Sequence, residues 1–183
     1  MKDYPYTIDN GAGEWLTFAR RVPGPNGERV EGSVLAAPGA GPPMHVHYLQ
    51  DEAFTVVDGV LGYQIAGHAP ALGNKGDTIL FRAGEPHRFW NAGPEDLRCT
   101  AYIEPAGNAE FFLGSLFASQ KANGGERPAL FDIAFLTHRY RSEYRMLLIP
   151  PLVQRLAFPV VVAIGKLLGR YQKYRNAPNP LGH

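Results

Sequence analysis

The chain has 183 residues, 45% of them hydrophobic and 19% charged, which is the composition of a folded globular protein and excludes a disordered one. Its formal net charge is +1, but that neutrality is divided. Thr137 to Arg175 carries eight basic residues against one acid, Glu143, for a local charge of +7, and the remainder carries −6. An acidic body with a basic, apolar C-terminal segment is expected. No basic patch interleaved with aromatics and no glycine-rich phosphate loop is present, so nucleic acid is not an expected partner.

In chain order, short runs rich in β-branched and aromatic residues occupy Trp15 to Val22, Val30 to Ala37, Ala53 to Asp58, Val60 to Ala66, Thr78 to Phe81 and Leu97 to Ile103. Turn signals separate them at roughly eight to twelve residues, the spacing of a β-sandwich or barrel. Asp58-Gly59 suits a two-residue hairpin turn, which would set Phe54 opposite Tyr63 and Val56 opposite Leu61. After Pro105-Ala106-Gly107 the apolar period becomes helical, with Asn108 as an expected N-cap. A second helix is expected from Pro128 toward Tyr144, and a third after Pro150-Pro151 with a kink at Pro159. The predicted organisation is a β-barrel domain over 1–106 and a helical extension over 107–183. The lone Cys99 makes no internal disulfide, and the first thirty residues hold no apolar run like a signal peptide, so a cytoplasmic protein is expected.

The chemistry concentrates in two stretches. His45 and His47, separated by one residue, share one face of a strand because side chains alternate with period two. Glu52 follows at the start of the next strand, and His87 lies in the second stretch, Gly76 to Asn91. Three imidazoles and one carboxylate suit a divalent transition metal (Fe, Mn, Ni, Cu or Zn) and not calcium, which prefers an all-oxygen cage. Four protein ligands on an octahedral ion leave two positions for water, dioxygen or substrate. With only the histidines bound, Glu52 is free as a catalytic base.

The pattern resembles the two motifs of the cupin superfamily. Gly39, His45, His47, Glu52 and Gly59 fit every defined position of G-x5-H-x-H-x4-E-x6-G. Gly76, Gly84, His87 and Asn91 fit G-x5-P-x-G-x2-H-x3-N, with Arg82 in place of the proline. The resemblance covers roughly Gly13 to Pro105. It implies a mainly β fold, a double-stranded β-helix or jelly-roll barrel, with His45, His47, Glu52 and His87 as metal ligands. It also implies pairing into a homodimer, and the chain resembles the small quercetin dioxygenase-like cupins.

By alternation Phe54, Tyr63 and Phe89 are expected to line the substrate pocket. An apolar, aromatic lining favours a small hydrophobic or aromatic ligand over a phosphosugar. The leading expectation is a metal-dependent oxygenase. Its rivals are a small-molecule sensor whose C-terminal helices contact a partner or membrane, and a metal-dependent isomerase. Met146 to Gly165 is long enough to approach a bilayer span, but Gln154, Arg155 and the prolines at 150, 151 and 159 oppose one. Packing against the barrel or a partner subunit, or lying along a membrane surface, remain as its roles.

Overall fold

The β-rich runs become ten strands in the computed structural model, which describes residues 3–182. These are β1 (Tyr6–Asp9), β2 (Glu14–Gly24), β3 (Gly27–Ala36), β4 (His45–His47), β5 (Asp51–Asp58), β6 (Leu61–Ile65), β7 (Ala71–Gly73), β8 (Thr78–Phe81), β9 (His87–Asn91) and β10 (Leu97–Glu104). The C-terminal part holds α1 (Ala109–Ala122), α2 (Leu130–Arg139), a strand β11 (Tyr144–Met146) and a π-helical turn, Val153–Ala157, that runs directly into α3 (Phe158–Leu167). The strands form two antiparallel sheets, β1-β2-β3-β10-β5-β8 and β11-β4-β9-β6-β7. Their inward residues, among them Val34, Phe54, Val56, Phe81, Phe89, Leu97 and Cys99, close into one buried cluster. The fold is mainly β with a jelly-roll arrangement and C-terminal helices.

The hairpin expected at Asp58-Gly59 does not form. β5 already has β10 on one side and β8 on the other, while β6 pairs with β9 and β7. The chain therefore crosses between sheets at this corner, and Phe54 pairs with Ala101 and Ile79 instead of Tyr63. Glycine is needed there for another reason. Gly59 has φ +85°, and a Cβ would sit 3.0 Å from both the Asp96 carbonyl oxygen and the Leu97 Cα. A local turn signal was outvoted by the global pairing, as a two-sheet fold requires at each corner.

The C-terminal elements also depart from expectation. The second helix ends at Arg139, and Tyr144 instead belongs to β11, which pairs with β4 in the register Tyr144 to His47 and Met146 to His45. Asn108 does not cap α1 with its side chain. Its Nδ2 donates to Glu143 Oε1 at 2.7 Å and to the Asn179 carbonyl at 2.8 Å. The break expected at Pro159 takes the form of the π-turn just before α3. A proline cannot donate to the carbonyl four residues back, and a widened turn relieves that loss. Among the described residues, no helix is long and apolar enough to cross a membrane.

Glu14, at the start of β2, is buried and accepts a 2.7 Å hydrogen bond from Asn10 Nδ2. Burial pushes its carboxyl up to about 7 from an ordinary 4.5. Folding then holds the proton through a range where the unfolded chain has released it, so this residue's contribution to stability is lost as pH rises from 4.5 to about 7. Glu14→Gln keeps an acceptor for Asn10 and removes the charge. It is expected to raise stability by up to about 3 kcal/mol at about pH 8 and by little at about pH 4. Thermal melts at both values check this, and an equal effect at the two would contradict it.

Candidate metal centre

Each ligand-type side chain reaches the site from a different structural necessity. His45 and His47 lie on β4 and His87 on β9, and pairing of the two strands sets His45 directly opposite His87. Their rings gather with centroids 4.5 Å apart for His45 and His87, 5.0 Å for His45 and His47 and 5.6 Å for His47 and His87. Glu52 comes from β5 in the facing sheet, where it pairs with Ile103 and Phe81. Phe81 lies flat on the His87 ring at 4.0 Å and fixes its plane. One ligand atom from each of the four residues falls within 4.8 Å of all the others.

The hydrogen bonds determine how the rings are presented. His45 Nδ1 meets the Pro43 carbonyl at 2.8 Å and His87 Nδ1 meets the Glu85 carbonyl at 2.8 Å. A carbonyl can only accept, so Nδ1 carries the proton in both rings and each Nε2 offers a lone pair. His87 Nε2 faces Glu52 Oε2 at 3.1 Å. Two acceptors at that separation in a buried site need a cation or a proton between them. His47 Nδ1 is buried with no hydrogen-bond partner, a second polar atom in the cluster that the protein alone leaves unsatisfied.

Electrostatics agree with that donor set. Burial, with His47 and His87 nearby, pushes His45 down to about 3, and burial also lowers His47. Neutral imidazole is the form that coordinates a metal. Burial works against charge on Glu52, but His47, His87 and His45 outweigh it and hold the carboxyl down to about 2. The residues present therefore fit a divalent transition metal, and the cluster could hold one.

Residues 32–103 match the family model described as a cupin domain. This region is a cupin domain. Two curated relatives are similar to the chain. The oxidoreductase iacF of Pestalotiopsis fici is 32% identical over 120 residues, covering 61% of this chain and 57% of that one. The probable oxidoreductase virH of Hypocrea virens is 36% identical over 70 residues, covering 37% and 32% respectively. The chain thus spans little more than half the length of the first and a third of the second. Among solved structures, KdgF from Halomonas sp. aligns at 18% identity over 56% of this chain and 91% of that one, with a TM-score of 0.46.

His45, His47 and Glu52 line a cavity of about 1300 Å³ whose walls come from both the strands and the C-terminal elements. Phe54 and Phe89 line it, together with Phe112, Leu116, Ile133 and Phe158. Tyr63, expected in the lining, is not part of it and packs against the core with its ring 6.2 Å from Phe81. Cys99 is buried and its thiol is pushed up to about 12 by that burial, which makes it a packing residue and no nucleophile. Arg82, which stands where the motif has proline, pairs with Asp51 at 2.9 Å on the surface.

Sequence reasoning missed Tyr144. Strand β11 sets it beside His47, with the rings edge to face at 5.2 Å, and it also lines the cavity. Its hydroxyl is buried without a hydrogen-bond partner. Burial, reinforced by Glu143 and Glu52, keeps the phenol protonated well above its ordinary range. Nothing in a three-residue strand between helices marks it in sequence, since period-two alternation needs at least four residues to be read.

Proposed function

We propose that the protein is a metal-dependent oxygenase acting on a small hydrophobic or aromatic substrate that bears an oxygen donor, with His45, His47, Glu52 and His87 as the metal ligands. The observation that carries this reading is the facing pair of acceptors, His87 Nε2 and Glu52 Oε2, within a three-histidine cluster of which His45, His47 and Glu52 line a largely apolar cavity. The oxidoreductase names of the two curated relatives support the same reaction class. A bound divalent metal would supply Lewis acidity and open positions for a substrate oxygen and dioxygen.

The chain's own residues supply the rest. A carboxyl held near 2 is an anionic ligand and a poor proton acceptor at neutral pH, so Glu52 serves better as a ligand than as a base. Phe54, Phe89 and Phe112 exclude water and offer flat surfaces to an aromatic ring. Tyr144 is the positioning residue, a donor with no partner in the protein and available to a substrate oxygen.

Oxygen uptake by metal-loaded protein with a panel of enols, catechols and 1,3-diketones tests the reaction class. Consumption with at least one of them is expected. Thermal stabilisation by such compounds with no oxygen consumed would instead identify a binding module. Tyr144→Phe is expected to leave metal content and melting temperature unchanged, because its ring stacks on Phe112 at 4.4 Å without the hydroxyl. It should lower kcat/KM by about tenfold, the value of one lost hydrogen bond to a bound substrate. Unchanged kinetics would remove Tyr144 from the site.

A further inference from the structure

Sixteen large apolar side chains are exposed among the described residues, and nine of them lie between Leu147 and Leu168. Leu148, Leu152, Leu156, Val160, Ile164 and Leu168 recur at every fourth position and are 45–76% exposed. On the opposite side Phe158 and Val162 are buried in a cluster with Ala134 of α2. The run is thus apolar both where it packs and where it meets solvent, and helices of that kind are ordinarily covered.

Charge indicates what covers it. Arg155, Lys166 and Arg170 are exposed on the same segment, and the one acid between Thr137 and Arg175, Glu143, is fully buried. A second copy related by a two-fold axis would set this patch against itself, bringing like charges together with no acid from the segment to offset them. An anionic lipid surface complements both properties, taking the leucines into its acyl boundary and the basic residues among its headgroups. We propose that residues 147–168 form an interfacial anchor that docks the protein on an anionic membrane.

The anchor also borders the cavity. Leu130 and Leu148 line the cavity and are themselves exposed, so it reaches the surface beside the apolar face. Docking there would let a lipophilic substrate enter from the lipid phase. That last step rests on the proposed oxygenase activity, whereas the docking does not.

Co-sedimentation of the full chain with phosphatidylcholine vesicles, with and without phosphatidylglycerol, tests the anchor. Binding to the phosphatidylglycerol vesicles is expected, weakening as salt is added. The double variants Leu152→Ser/Leu156→Ser and Arg155→Gln/Lys166→Gln should each reduce binding by about tenfold or more. Their melting curves and metal content should match the parent, because all four side chains are exposed. Failure of the parent chain to bind phosphatidylglycerol vesicles overturns the anchor and leaves the metal chemistry standing. A concentration-dependent dimer in light scattering, dissolved by the leucine variant and accompanied by no vesicle binding, would assign the face to a second copy and likewise overturn it.

Discussion

Replacing His47 with alanine is expected to abolish tight binding of a divalent transition metal while leaving the two sheets folded. His47 is 4% exposed, and the substitution removes one of four donors converging on one point. Changing a group that merely orients a ligand commonly lowers metal affinity roughly 10–100-fold, and loss of a ligand itself should exceed that. Competition against a chromophoric chelator gives the affinity, and circular dichroism confirms that the fold persists. A second readout is thermal. Metal at about a hundred times its dissociation constant should stabilise the parent chain by about 3 kcal/mol, and that stabilisation should vanish in the variant. Metal affinity unchanged by His47→Ala would refute the assignment of the cluster.

Glu143→Leu is expected to give the largest loss of stability. This carboxyl is completely buried, yet among the described residues no cation pairs with it. It accepts instead from Asn108 Nδ2 at 2.7 Å and the Leu181 amide at 2.9 Å, with longer contacts of 3.4 Å from Gln50 Nε2 and the Asn108 amide. Those donors come from the loop after β4, the residue preceding α1 and the C-terminal tail, so one side chain ties three separate segments together. Leucine fills much of the volume but leaves the donors buried and unpaired, at an expected cost of about 3–5 kcal/mol. Urea unfolding measures it. A loss below about 1 kcal/mol would mean that water or a shifted tail satisfies those groups. Because Glu143 immediately precedes β11, which pairs with β4, the same variant should also weaken metal binding.

Glu143 shows why part of the design is hidden from sequence. It stands out only as the lone acid among eight bases, and nothing local says that it faces inward. The donors it serves are 35 to 93 residues away, so its role exists only after the tail and α1 have docked. Tyr144 is concealed in the same way, because β11 is too short to show a period. His45, His47, Glu52 and His87 are the opposite case. Strand alternation fixes the shared face of the first two, the donor chemistry identifies the others, and the fold brings all four together. The six strand runs were legible because burial on one face enforces alternation, whereas their pairing was not. Asp58-Gly59 satisfies the rules of a hairpin turn equally well at a corner between sheets, and only the competing claims of β8 and β10 on β5 decide it. The divided charge was likewise visible at once, but that the leucines beside the basic residues stay exposed became apparent only with the helices in place.

The account depends most on the claim that the three histidines and Glu52 hold a transition metal. Elemental analysis of untagged protein, purified without chelating resin and then dialysed in turn against iron, manganese, nickel, copper and zinc, addresses that claim directly. About one equivalent of a single transition metal per chain is predicted, retained through gel filtration and absent from the His47→Ala variant. No retained metal under any of these conditions would contradict it.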